Sequence, residues 1–367
     1  MRSETEQPWI FNRWTDWASV GGLALFILIP LLLFPSVESL LTGASLASAL
    51  HIAVNFPHFI ASYRIIYASR ERIWRYRNAT IVVPFLLLIG SVFALSQSGE
   101  NGLYVHLLVV ASGLYIGIHY TGQTWGMMAV HAHLVKRPFS AGERLLIRAG
   151  LYGLAFFHAS FFLRFSAQLP GNYLPISDLV FSVGQMAATS GFLASTVGIV
   201  LYSKRYQTLP PIGVLIAWAS IYVWYAVFSS MESGVFWVQV AHSLQYLIFP
   251  ARMFVNERSS ATNPKQAWLT LLYWYIPLLV GGYFAFRLLP DLLINTFNPL
   301  TVDAEFKAEL QRLIPIVVSA FLNIHHFFTD GYIWKMRDPK VRAALFMHIN
   351  QVVKASSDEA TPLPKVS

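Results

Sequence analysis

Long apolar runs alternate with short polar segments along almost the whole chain. A helix that crosses the hydrocarbon core of a bilayer needs roughly 20 apolar residues. Ten runs approach or exceed that length, and they cover residues 18–36, 40–67, 79–97, 102–134, 143–167, 177–203, 210–229, 233–255, 267–289 and 308–334. The pattern predicts an all-α protein, a polytopic transmembrane helical bundle of about ten spans.

The composition also indicates a membrane protein. Hydrophobic residues make up 55% of the 367 residues and charged residues only 12%, whereas a soluble domain carries about 25% charged residues. The 11 Trp and 17 Tyr suit aromatic belts at the two membrane surfaces. We therefore predict one integral membrane helical domain over residues 1–350 and a disordered cytoplasmic tail over 351–367.

Basic residues concentrate in every second connecting segment. Lys and Arg occur at 68–78, 135–148, 204–205 and 252–265 and again after residue 334, while the turns FPSVESL, SQSGENG and SSMESG between these segments contain none. The predicted loop 290–307 is the exception, because it contains Lys307. By the positive-inside rule, this alternation puts the basic segments and both termini in the cytoplasm. Topology thus accounts for the net charge of +8, and we expect no nucleic acid partner.

Five of the histidines inside the predicted spans share a setting in which a polar side chain costs free energy unless it has a partner. They are His58, His119, His242, His325 and His326. The four helices that carry them are all predicted to run toward the cytoplasm and hold them at comparable depths, roughly 15 to 25 Å from the basic segments. The pattern indicates a metal site, with a structural polar network and a proton or solute path as alternatives.

Two further features bear on the ligands of such a site. The chain has no Cys, so a metal would be held by imidazole and oxygen atoms. His325 and His326 point about 100° apart around their helix. One of them is therefore expected to bind the metal and the other to hydrogen-bond, unless the helix is distorted.

Polar residues at helical spacing accompany the histidines. Gln123, Tyr246 and Asp330 each follow a histidine by four residues and share a helix face with it, and Tyr120 follows one directly. Such neighbours hold a ligand ring through its second nitrogen or position a substrate. We designate these four side chains candidate catalytic residues.

Four short motifs occur in order along the chain: Pro57-His58, Ile118-His119-Tyr120, His242-Ser243, and His325 with Asp330 five residues on. Together they resemble the Brp/Blh family of bacterial membrane β-carotene 15,15′-dioxygenases, which make retinal. The chain differs from that family at Ser62 and Gln123, where the family tends to carry Asp. The resemblance implies a multi-pass protein of the bacterial inner (cytoplasmic) membrane, with four iron ligands at His58, His119, His242 and His325.

Neutral imidazoles suit Fe(II), Zn(II) and Cu, and O₂ activation favours Fe(II). The sequence leads to the hypothesis of an iron-dependent oxygenase that acts with O₂ on an isoprenoid, carotenoid or lipid chain taken from the surrounding membrane lipids. The first alternative is an iron-dependent lipid hydroxylase or desaturase, which needs an electron-donor protein as partner. A proton-coupled transporter and a b-type haem protein are the others.

Overall fold

The chain folds into helices joined by short connections. The computed structural model describes residues 9–34, 36, 44–98, 102–165, 174–231, 234–258, 264–297, 304–334, 341 and 345–346, and no strand occurs among them. The helices are α1 (Arg13–Leu33), α2 (Ala44–Leu50), α3 (Phe56–Ile66), α4 (Arg70–Arg75), α5 (Asn78–Ser96), α6 (Leu103–Leu134), α7 (Ala141–Phe165), α8 (Leu174–Tyr206), α9 (Ile212–Ser230), α10 (Gly234–Arg258), α11 (Pro264–Tyr283), α12 (Leu289–Phe297) and α13 (Ala304–Ile333). The all-α prediction is confirmed for the described residues.

Eight helical segments of the described residues are long and apolar enough to cross a membrane. They are α1, α5, α6, α7, α8, α9, the segment Leu269–Phe297 of α11 and α12, and α13. The two remaining predicted spans are helical as well, as α2 with α3 and as α10, but their histidine, asparagine and glutamine residues lower their mean hydropathy. Helix α12 occupies part of the predicted loop at 290–307, and the predicted tail 351–367 lies outside the described residues.

Helices α6 and α13 lie at the centre of the bundle. Helix α6 packs on α7, α9 and α13, and α13 packs also on α3 and α5. The largest apolar core lies between α1, α6, α7, α9 and α10, and it includes Leu28, Met127, Leu154, Trp224 and Val238. The polar residues of α3, α6, α10 and α13 therefore face one another at the border of this core.

Four helices, α3, α6, α10 and α13, run in the same direction. Their histidines meet in one layer, and four residues further along three of them Ser62, Tyr246 and Asp330 meet in the next layer. Gln123, one turn past the histidine of α6, donates to Gln245 of α10 in the same way. The carboxyl ends of all four helices consequently lie at one end of the bundle, and each of them leads into a basic segment.

Contacts between segments at this end support that arrangement. Arg205 Nε donates to Glu143 Oε1 at 2.7 Å, which joins segment 204–205 to segment 135–148. The Arg252 guanidinium lies 5.2 Å from the centroid of the Phe11 ring, so the N-terminal segment reaches the same end. The positive-inside rule predicts that this end faces the cytoplasm.

Helix α1 bends at Gly21. This residue has φ 141° and ψ −4°, a conformation that residues with a Cβ rarely adopt. A Cβ at this position would also overlap the side chain of Ser220 on α9. The bend lets α1 pack on both α9 and α10.

Candidate metal centre

Four of the five candidate histidines meet in one layer, each from a different helix. They are His58 of α3, His119 of α6, His242 of α10 and His326 of α13. Neighbouring ring centroids are 5.1 Å apart for 58–242, 4.7 Å for 242–119, 5.0 Å for 119–326 and 4.8 Å for 326–58, so the contacts close a circuit. All four contacts are edge-to-face, with interplanar angles between 71° and 88°.

The ligand atoms of this layer converge. One nitrogen each from His58, His242 and His326 lie within 4.8 Å of one another, and so do the ligand atoms of His119, His326 and Asp330. His326 belongs to both groups, so the two groups overlap in one site. Two ligands on opposite sides of an ion with bonds of about 2.1 Å are about 4.2 Å apart. The cluster is therefore close to the size of a coordination sphere.

Most atoms that face this site have no hydrogen-bond partner. These are Nε2 of His119, both ring nitrogens of His242 and of His326, and Oδ2 of Asp330, and all of them are buried. A buried polar atom without a partner costs about 1–3 kcal/mol. A bound cation would satisfy the lone pairs that point inward, so the donor set fits a metal ion.

The ring of His58 is held from behind. Its Nδ1 donates to the carbonyl oxygen of Asn55, in a short contact, and lies 2.9 Å from Ser243 Oγ. Because a carbonyl oxygen only accepts, Nδ1 carries the proton and Nε2 keeps its lone pair for the site. Ser243 Oγ also lies 3.0 Å from Asn55 Oδ1, which links α3 to α10 directly behind the ring. Metal-ligating histidines are commonly fixed in this way.

The two carboxylate oxygens of Asp330 have different surroundings: one accepts hydrogen bonds from neighbouring side chains, and the other faces the histidines. Its Oδ1 accepts hydrogen bonds from Ser62 Oγ at 2.6 Å and from the Tyr246 hydroxyl at 2.9 Å. The Tyr246 hydroxyl in turn accepts from Trp334 Nε1 at 2.9 Å. The other carboxylate oxygen, Asp330 Oδ2, lies 3.5 Å from His119 Nε2 and 3.4 Å from His326 Nε2. The carboxylate is thereby aimed at the gap between two rings.

The structure separates the two adjacent histidines of α13. His326 lies in the cluster, whereas His325 Nε2 donates to the carbonyl oxygen of Ala79 at 3.0 Å and its ring stacks on Tyr63. The family resemblance implied His325 as the fourth ligand, whereas the structure places its neighbour His326 beside the other three histidines. The reason is that side chains of successive helical residues point about 100° apart, and α5 supplies the acceptor on the other side.

The candidate catalytic residues Gln123 and Tyr120 contact α10. Gln123 Nε2 donates to Gln245 Oε1 at 2.9 Å and to the carbonyl oxygen of His242 at 3.2 Å. The Tyr120 ring lies against the His242 ring, with centroids 4.3 Å apart. We expected Gln123 to orient a histidine ring. In the structure, Gln123 instead donates a hydrogen bond to the backbone of α10 at His242.

Three π-helical turns supply carbonyl oxygens to this region. A π turn widens the helix and leaves a carbonyl free to accept a side-chain donor, which is a frequent feature of functional sites. The turn His51–Asn55 provides the acceptor for His58, and the turn Asn78–Val82 provides the one for His325. In the turn Ala18–Gly22, the Val20 carbonyl oxygen accepts from Gln245 Nε2 at 2.6 Å.

Two cavities of different character border the cluster. One, of about 90 Å³, has polar side chains in its lining, namely His51, Asn55, Gln239, Ser319 and Asn323. The other, of about 280 Å³, is mostly apolar and reaches His119 and Asp330 from the side of the basic segments. The smaller cavity borders all four histidines of the layer, and the larger cavity borders only His119.

Several supporting residues were not among the candidates from the sequence. Ser62 follows His58 by four residues, so the spacing that singled out the other partners could have found it. Ser243 was noted only as part of a motif, and Trp334 carried no signal.

Comparisons of the chain with protein-family models, with curated proteins and with solved structures give no match.

Proposed function

We propose that this protein is a histidine-ligated, iron-dependent oxygenase of a membrane, acting on a hydrophobic substrate from the bilayer. The observation that carries the proposal is the group formed by His119, His326 and Asp330, two imidazoles and one carboxylate with ligand atoms within 4.8 Å of one another. Two histidines and a carboxylate that leave other positions open are typical of non-haem Fe(II) oxygenases. The motif resemblance to the β-carotene dioxygenases points to the same chemistry.

Bound iron would supply the activation of O₂, and the residues of the chain would supply its surroundings. His58 and His242 border the same site and offer further imidazole nitrogens to the ion. Ser62 and Tyr246 hold one oxygen of Asp330, so that the other stays directed at the site. The buried layer excludes water from the reacting atoms, while the apolar cavity beside His119 brings a hydrocarbon close to them.

The packing of the rings argues against a b-type haem. Neighbouring imidazoles contact each other edge to face, with centroids 4.7 to 5.1 Å apart. A porphyrin bound by two axial histidines lies between their rings. Neighbouring rings of this layer leave no room for a macrocycle between them.

The test uses the purified protein, loaded with Fe(II) without air and then given O₂ and a panel of carotenoids, isoprenoid alcohols and fatty acids. The metal content is measured first by mass spectrometry. An oxidised product that forms without a reductase supports a dioxygenase, because the substrate supplies all the electrons. A product that needs a reductase moves the assignment to a hydroxylase or desaturase with an electron-donor partner.

Two variants sharpen this experiment. Asp330→Asn keeps the size of the side chain but weakens its donation to a cation, so we expect product formation to fall at least tenfold. His325→Ala removes a histidine that lies outside the cluster and is expected to keep activity. Bound iron without any O₂-dependent product from the whole panel would reject the oxygenase and leave only the metal centre.

A further inference from the structure

The larger cavity has an unusual lining of helical glycines. Gly122 and Gly126 of α6 and Gly331 of α13 border it, and a Cβ placed on any of the three would meet no atom within 4 Å. Two other glycines of α6 differ sharply, since a Cβ on Gly113 or Gly117 would press against α7 within 3.0 Å. Close packing against α7 explains the glycines at 113 and 117, but no close contact explains those at 122, 126 and 331.

Glycine inside a helix costs about 1 kcal/mol relative to alanine. At Gly122, Gly126 and Gly331 no contact of the described residues requires the missing side chain. Gly122 and Gly126 are four residues apart and so share one face of α6. Their effect is to keep the cavity open along that face.

The cavity is elongated along α6. Its lining extends along α6 from Ile118 to Val130, which is roughly 18 Å at 1.5 Å per residue. Its volume of about 280 Å³ is distributed over that length. Phe249 and Phe327 add apolar walls, so the lining suits hydrocarbon.

Two residues of the cavity lining also carry a buried polar atom without a hydrogen-bond partner. Asp330 is only 5% exposed and lines the cavity, and its Oδ2 has no hydrogen-bond partner. Gln123 Oε1 is a second such atom in the same lining. Both lie toward the end of the cavity where His119 borders it. An occupant would therefore have its apolar length along the glycines and its reacting part at the metal centre.

The geometry points to a binding site for a single linear hydrocarbon chain, which lies along Gly122 and Gly126 with one end or one internal bond beside His119 and Asp330. The reaction of the bound chain rests on the proposed function, whereas its binding is inferred from the cavity alone. This inference narrows the substrate to slender chains. We expect sterols and other rigid fused-ring lipids, which are wider than an extended chain, to bind less well.

The experiment is photo-crosslinking of the purified protein in nanodiscs with a long-chain fatty alcohol that carries a diazirine, followed by peptide mapping. We expect labels on the cavity lining of α6 and α13. Gly126→Leu fills the cavity and should lower this labelling at least tenfold. The matched control is Gly90→Leu, a helical glycine of α5 whose Cβ also meets nothing within 4 Å but which borders neither cavity; it should leave labelling unchanged.

Two further measurements keep the inference open to refutation. An unlabelled linear alcohol should compete with the probe in the unaltered protein, while a sterol at the same concentration should not, so the result stands even where Gly126→Leu fails to fold. Equal competition by the sterol, or labels spread evenly over lipid-facing residues in all proteins, would overturn it. Metal analysis of the same samples separates the two proposals, because labelling without metal removes only the oxygenase and metal without labelling removes only the chain site.

Discussion

Replacing His326 by alanine is the most direct test of the metal centre. This residue belongs to both groups of converging ligand atoms, so its loss leaves His58 with His242 on one side and His119 with Asp330 on the other. Each group falls from three ligands to two. The adjacent His325→Ala is the matched control, since it removes the same side chain from the same turn of the same helix but from outside the cluster.

The expected magnitude follows from the free energy of metal binding. Structural zinc sites with four ligands bind with about 10–16 kcal/mol, which is about 2.5–4 kcal/mol for each ligand. A tenfold change in affinity corresponds to 1.4 kcal/mol. His326→Ala should therefore weaken metal binding by about 10²- to 10³-fold. His325→Ala removes a hydrogen bond to Ala79 and a stacked ring, so it should cost about 1–3 kcal/mol of stability and change metal affinity by no more than about tenfold.

The assay is an anaerobic competition titration of each purified protein against a chromogenic chelator, with Fe(II) and with Zn(II). Thermal unfolding in the same detergent measures stability separately from affinity. Equal affinities for the two variants would refute the assignment of His326. A larger loss in His325→Ala than in His326→Ala, with both proteins folded, would restore the ligand set implied by the motif resemblance.

Three further outcomes are expected. Tyr246→Phe removes a donor to Asp330 Oδ1 and should weaken metal binding by about 10- to 100-fold in the same titration; an unchanged affinity would mean that the hydroxyl does not support the site. Gly21→Ala should lower the free energy of unfolding by about 1–3 kcal/mol because of its positive φ and the overlap with Ser220, whereas Gly90→Ala, measured by the same thermal unfolding, should not lower it. A cysteine placed at 68–78 of the cysteine-free chain should react with a membrane-impermeant maleimide only after the cells are opened, and labelling of intact cells would reverse the predicted orientation.

The apolar pattern was sufficient to predict the helices. All ten predicted spans correspond to helices in the described residues, because a backbone within a bilayer satisfies its hydrogen bonds inside a helix. The pattern did not anticipate helices α4 and α12, the three π turns described above or a fourth at Phe284–Leu288. A π turn depends on one inserted residue and on the acceptor that a neighbouring helix needs, and neither leaves a periodic signal.

The sequence by itself also determined which residues could share a face. The four-residue steps from His58, His242 and His326 place a polar side chain one turn further along each helix, and they do so whatever the helix packs against. Helix periodicity is local, so it could be derived without a partner. The steps could not show that the three polar side chains meet one another.

Only the tertiary structure decided the rotation of each helix about its axis. That rotation places His326 in the cluster and turns His325 to the Ala79 carbonyl oxygen, although both are buried residues of one apolar run. It also turns Gln123 to α10 and brings Ser62 under Asp330. These choices depend on contacts between residues far apart in the chain, and the free energy of packing, which no single segment contains, selects among them.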